Sequence, residues 1–155
     1  IGVCWMQKGG QLPWLAVIIV VVFLFWFFLG HMIFALFLGL SPMTNVLSSL
    51  DVFLTPNGLA MVGFGTAVGG LFSTIIFSFC VLGMPMILDR DIDFVTAMIT
   101  SMGAVRNNLI IYLLWGAMIG TLTLIAMIPL FLGLFIAMPI LGHATWHLYK
   151  RATDI

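Results

Sequence analysis

The sequence predicts an all-α fold: an integral membrane four-helix bundle with a short interfacial amphipathic helix between spans 2 and 3. Two observations carry the prediction. First, 63% of the 155 residues are hydrophobic and the mean hydropathy is +1.28. A soluble globule of 17.0 kDa cannot hide that much apolar surface from water, so lipid is the expected solvent. Second, the charged residues fall only where spans would end: Lys8, Asp51, Asp89, Arg90, Asp91, Asp93, Arg106, Lys150, Arg151 and Asp154. Between them lie apolar runs over residues 12–40, 58–88 and 109–149.

Each run is sized against the bilayer. Residues 13–40 make about 42 Å of helix at 1.5 Å per residue, enough for one tilted crossing. Residues 58–88 also cross once. Residues 109–149 would make about 61 Å, twice the hydrocarbon thickness of roughly 30 Å, so they divide into two spans. Pro129 is the natural break because it has no N–H to give the preceding turn. The expected spans are therefore 13–40, 58–88, 109–128 and 129–149, in one transmembrane domain over 1–155.

Orientation follows from the Lys/Arg distribution. With Lys8 inside, Arg90, Arg106, Lys150 and Arg151 all fall on the same side, and the 41–57 loop and the turn near Pro129 carry no basic residue. Trp14, Tyr112, Trp115, Trp146 and Tyr149 cluster at that side, as an interfacial aromatic belt would. Both ends of the chain are expected in the cytoplasm.

Two shorter helices are expected along the surface. Over 93–106, Phe94, Met98, Met102 and Val105 recur at helical spacing, with Thr96, Thr100, Gly103 and Asn107 opposite. Asp93 can cap its start, and Arg106 suits its end, both matching the helix dipole. Outside, residues 43–54 carry Leu47, Leu50, Phe53 and Leu54 and suggest another short helix. Pro56-Asn57-Gly58 then turns the chain back into lipid. No internal repeat marks the chain as half of an inverted-repeat transporter.

The clearest packing signal lies in the second span. Gly65, Gly69 and Ser73 run at i, i+4, i+8, beside a row of Thr66, Gly70, Thr74 and Ser78; Gly116 and Gly120 repeat the spacing in the third span. Small residues admit a second helix closely. Such a strip serves either intramolecular packing or the docking of another integral membrane subunit. Asp89, Arg90, Asp91 and Asp93 form an interfacial charge cluster, read as local ion pairing and capping. A proton relay is disfavoured because these charges lie at the interface rather than at mid-membrane.

His31, His143 and His147 are the only histidines. His143 and His147 share a helix face at i, i+4, a two-ligand spacing, but no carboxylate or cysteine lies within a turn of them. His31 sits at an unmatched depth. No metal and no cofactor are expected; His143 is expected to hydrogen-bond across the bundle and His147 to sit among headgroups. Cys80, inside an apolar run, reads as a packing residue, and Cys4 has no redox or zinc partner nearby. Zero net charge leaves no basic face for nucleic acid. No nucleophile elbow, P-loop or HExxH motif occurs, so no catalytic activity of its own is expected.

The stretches HMIFALFLGL at 31–40, GTAVGG at 65–70, LDRDIDFVTAMITS at 88–101, IPLFLG at 128–133 and PILGHATWHLYKR at 139–151 resemble a family of uncharacterised bacterial multi-pass membrane proteins. It is a domain-of-unknown-function family, some of whose members carry a cytochrome c oxidase label. The resemblance implies the bacterial inner membrane, and a preceding hydrophobic hairpin that would bring the total to about six spans. Three histidines at unmatched depths cannot supply the haem and copper ligands of an oxidase catalytic subunit. The implied role is a cofactor-free accessory subunit of a respiratory, cytochrome oxidase-type complex. The alternative is a small transporter or channel subunit with a polar path along the second span.

Overall fold

A computed structural model describes residues 10–39 and 51–153. Among these residues all regular structure is helical: α1 (Gln11–Leu38), α2 (Asp51–Leu54), α3 (Pro56–Cys80), α4 (Gly83–Asp89), α5 (Phe94–Asn107), α6 (Leu109–Met127) and α7 (Leu134–Thr153). Three segments are long and apolar enough to cross a membrane: Gln11–Leu38, Pro56–Asp89 and Leu109–Met127. The chain is thus an all-α membrane protein. α7 has 20 residues but carries His143, His147, Lys150 and Arg151, so by the same measure it does not join them. Lys8, Cys4, Asp154 and most of the expected 43–54 helix lie outside the described residues; of that helix, only α2 falls within them.

The second span begins two residues earlier than expected, and a cap explains the shift. Thr55 Oγ1 accepts from the Gly58 N–H at 3.1 Å while donating to the Val52 carbonyl at 2.7 Å. Pro56 then occupies the first helical position, where its missing N–H costs nothing. Pro56-Asn57-Gly58 is therefore the first turn of α3 rather than a turn ahead of it. A Cβ on Gly58 would collide with the Val52 carbonyl oxygen, which ties glycine to this junction.

That span is also not one helix. It breaks at Val81–Leu82, and α4 carries it on to Asp89. Pro85 supplies part of the cause: it has no N–H for the Val81 carbonyl four residues back, and its ring crowds that carbonyl. The chain divides into two compact units, one comprising the described residues of Ile1–Ala16 and Ile76–Ile155, the other those of Val17–Ile75.

In the first unit the core gathers Val81, Leu82, Met86, Val105, Tyr112 and Tyr149. α4 packs on α5 and α7, and α6 packs on α5 and α7. Asp93 caps α5, its Oδ2 accepting from the Thr96 N–H at 2.8 Å. The buried face of α5 is Ala97, Ser101 and Val105, whereas Phe94 and Met98 are half-buried and Met102 is exposed. Small side chains face inward because α4 comes close: a Cβ on Gly83 would sit 3.5 Å from the Ala97 carbonyl oxygen. The start of α1 joins this unit through the Phe94 N–H, which donates to Gln11 Oε1 at 3.3 Å, and through Trp14 stacked on Phe94.

α6 ends at Met127 and α7 starts at Leu134, with Pro129 in the turn between them. Leu130 and Phe131 hold positive φ, 51° and 66°, a region unfavourable for residues with a Cβ. In the second unit, Phe25 pairs with Phe72 and Phe37 with Phe64, so aromatic rings bridge α1 and α3.

Candidate functional site

Along α3 the small-residue strip opens onto a groove of about 570 Å³ in the second unit. α1 contributes Trp26, Gly30 and Phe34 to its lining, and α3 contributes Gly65, Gly69 and Ser73 among others. The Trp26 indole nitrogen lies 3.4 Å from where a Gly69 Cβ would be, whereas Gly65 and Gly70 have nothing within 4 Å. Bulky aromatic side chains hold α1 and α3 apart, so within this unit the chain does not use its own glycines for close helix contact. Thr66 and Ser73 put hydroxyls on the lining, and Thr74 donates to the Gly70 carbonyl of its own helix at 2.8 Å.

The strip in α6 divides. Gly116 is occupied by the Phe77 ring, 3.4 Å from the Cβ it lacks, and Gly120 faces open space. In the first unit an apolar cleft of about 460 Å³ is lined by residues including Cys80, Leu88, Thr123, Leu141, Thr145 and Trp146. Its two threonines donate to carbonyls of their own helices, Thr123 to Ile119 at 2.7 Å and Thr145 to Leu141 at 2.8 Å. The hydroxyl protons are thereby committed, which suits the cleft to hydrocarbon rather than to a polar substrate.

The charge cluster is built differently from a local ion-pair set. The Asp89 carboxylate is held by residues 60 and 61 positions away: Tyr149 Oη donates to Oδ2 at 2.9 Å, and Lys150 Nζ lies 2.8 and 2.9 Å from the two oxygens. Lys150 also sits 5.2 Å from the Trp146 ring centre and 5.6 Å from that of Tyr149, within cation–π range. The Arg90 N–H closes α4 on the Met86 carbonyl, and Asp91 is exposed. Asp93 serves as the cap. The Thr96 hydroxyl at 2.6 Å and then the Thr96 N–H hold its carboxyl below the usual range.

The histidines do not converge on an ion. His143 and His147 are exposed on α7, with ring centres 5.8 Å apart and edges to faces, so His143 points outward rather than across to another helix. His31 Nδ1 donates to the Phe27 carbonyl at 2.9 Å. Among the described residues no three His, Cys, Asp or Glu side chains form a group able to hold a metal ion.

Sequence reasoning missed Ser101. It is fully buried, donates to the Ser78 carbonyl at 2.6 Å, and accepts from the Leu82 N–H at 3.1 Å. A buried hydroxyl on the inner face of an amphipathic helix was the available signal, with Pro85 marking the bend it serves.

Residues 1–89 match the family model described as "Predicted integral membrane protein (DUF2189)". The chain belongs to that family. No curated protein and no solved structure matches it. Membership in DUF2189 agrees with the apolar helices and brings no assigned chemistry with it.

Proposed function

We propose that this chain is a non-catalytic, cofactor-free accessory subunit that packs against helices of a larger membrane complex. The supporting observation is the groove along Gly65, Gly69 and Ser73, which α1 and α3 leave open beside Gly65 and reach only with Trp26 at Gly69. Lipid tails fill such a strip less well than a second helix does, since close backbone approach gains dispersion contacts and Cα–H···O bonds. The respiratory, cytochrome oxidase-type setting rests on the label carried by some family members. A bacterial inner-membrane location with four spans, both ends cytoplasmic and α5 along the cytoplasmic interface is supported by the Lys/Arg asymmetry and the aromatic belt.

A polar conduit along α3 is less well supported. The groove offers the hydroxyls of Thr66 and Ser73 and the indole of Trp26 among mainly apolar residues, and no formal charge. The deciding experiment replaces Gly69 by Leu and purifies the protein from its native membrane in mild detergent. Loss of co-purifying membrane subunits, with insertion intact, supports docking. Unchanged partners refute it.

A further inference from the structure

In an unbroken helix the Leu82 N–H would donate directly to the Ser78 carbonyl, its i−4 partner. Here the Ser101 hydroxyl stands in place of that single bond, donating to Ser78 at 2.6 Å and accepting from Leu82 at 3.1 Å. The rung before it is intact, Val81 N–H to the Phe77 carbonyl at 2.9 Å, and the ladder resumes beyond Pro85 with Met86 N–H to the Leu82 carbonyl at 2.9 Å. A side chain inserted in the ladder is a recognised cause of sharp bending. What distinguishes this case is that the side chain comes from another helix, α5, 19 residues beyond Leu82.

We propose that Ser101 is the removable pin of a hinge, coupling the seating of α5 to the bend between α3 and α4. With the pin in, Ser78 and Leu82 are both satisfied through the hydroxyl. With it out, they satisfy each other directly, the segment straightens, and the hydroxyl turns to the Ala97 carbonyl of its own helix, as Thr100 already does to Thr96 at 2.8 Å. Neither arrangement strands the Ser78 carbonyl or the Leu82 N–H, so for these two groups the states differ by packing rather than by a lost hydrogen bond. Pro85 favours the bent state because it cannot complete the straight one.

The packing also fits a part that engages and withdraws. A Cβ added at Gly83 would stand only 3.5–3.8 Å from Ala97 and Ser101, so α4 meets α5 there through glycine and small side chains. The opposite face of α5 exposes Val95, Ile99 and Met102, an apolar stripe at helical spacing on the same rigid helix. Displacement of that stripe would draw Ser101 out of the ladder.

The test is amide exchange by mass spectrometry on the full chain in lipid nanodiscs. Ser101→Ala should speed exchange across residues 94–107 about fivefold to tenfold, as expected for loss of one buried hydrogen-bonded anchor. Exchange at the Leu82 amide should stay at the wild-type rate or slow, because Ser78 now accepts it directly. Pro85→Ala, which restores a donor for Val81 and leaves Ser101 in place, should release α5 in the same direction. Ser101→Cys keeps a weak donor and acceptor and should fall between wild type and Ser101→Ala. Exchange rising at Leu82 together with α5 in Ser101→Ala would make Ser101 an ordinary packing residue and overturn the hinge. So would Pro85→Ala leaving α5 unchanged.

Discussion

Gly133→Ala addresses the turn that joins α6 to α7. A Cβ at this position would stand 2.6, 2.8 and 3.1 Å from the oxygen, Cα and carbonyl carbon of Ala126, all backbone atoms that cannot rotate away. Reaching ordinary contact at 3.4 Å requires the turn to open by about 0.8 Å at the oxygen. The Gly133 carbonyl accepts from Ile136 at 3.1 Å and Ala137 at 2.9 Å, so opening the turn strains the first turn of α7 as well. Overpacking of this kind costs about 1–3 kcal/mol. The smaller unfolded-state entropy of alanine returns about 0.4–1 kcal/mol, leaving a net loss of roughly 1–2 kcal/mol. Gly120→Ala is the control: nothing lies within 4 Å of its Cβ, and the gain in helix propensity is at most about 1 kcal/mol. Reversible unfolding by SDS titration in bicelles, followed by tryptophan fluorescence, reads both. Gly133→Ala matching or exceeding wild-type stability, while Gly120→Ala is neutral or better, would refute the close contact at Ala126.

Three further outcomes follow from other parts of the molecule. The Asp93 carboxyl is held low by Thr96, so the cap is fully formed above the unfolded value of about 3.9 and is lost as pH falls through the lower folded value. The Thr96 amide resonance should shift across that acid window in wild type and stay fixed in Asp93→Asn; an unaltered titration in the variant removes Asp93 as its source. Lys150→Met should free the end of α7 and raise protease cleavage there, more than Arg151→Met does, because it is Lys150 that forms the ion pair with Asp89 at 2.8 Å; equal sensitivity would make that pair inconsequential. For the proposed orientation, Ser48→Cys should react with an impermeant thiol reagent in intact cells, and Asn107→Cys only after permeabilisation; the reverse pattern inverts it.

The helical membrane class was legible because charge avoidance over long runs has no other physical reading in a chain this apolar. The Asp93 cap was legible too, since it operates over three residues. The bend at Val81–Leu82 had half its signal in plain view: Pro85 deprives Val81 of a donor. The other half, Ser101, acts across 23 residues from Ser78, and no local pattern announces which buried hydroxyl will enter which ladder. Asp89 illustrates the same limit. Its neighbour Arg90 suggested a local pair, yet Tyr149 and Lys150 take the carboxylate, because tertiary packing brings the end of α7 to the end of α4. The glycine strip was visible as spacing; that aromatic rings on α1 would leave it open depended on three-dimensional packing.

The bond between Asp89 and Lys150 also sets a clock on biogenesis. The two residues are 61 positions apart, and a ribosome adding 5–20 residues per second delivers them about 3–12 s apart. Through that interval the Asp89 carboxylate at the end of α4 has been made while its tyrosine and lysine are still unsynthesised. Synthesis of Tyr149 and Lys150 is what allows the clasp to close. A chain stalled or cleaved before Tyr149 therefore displays an unclasped acidic end on α4, a mark by which incomplete copies differ chemically from complete ones.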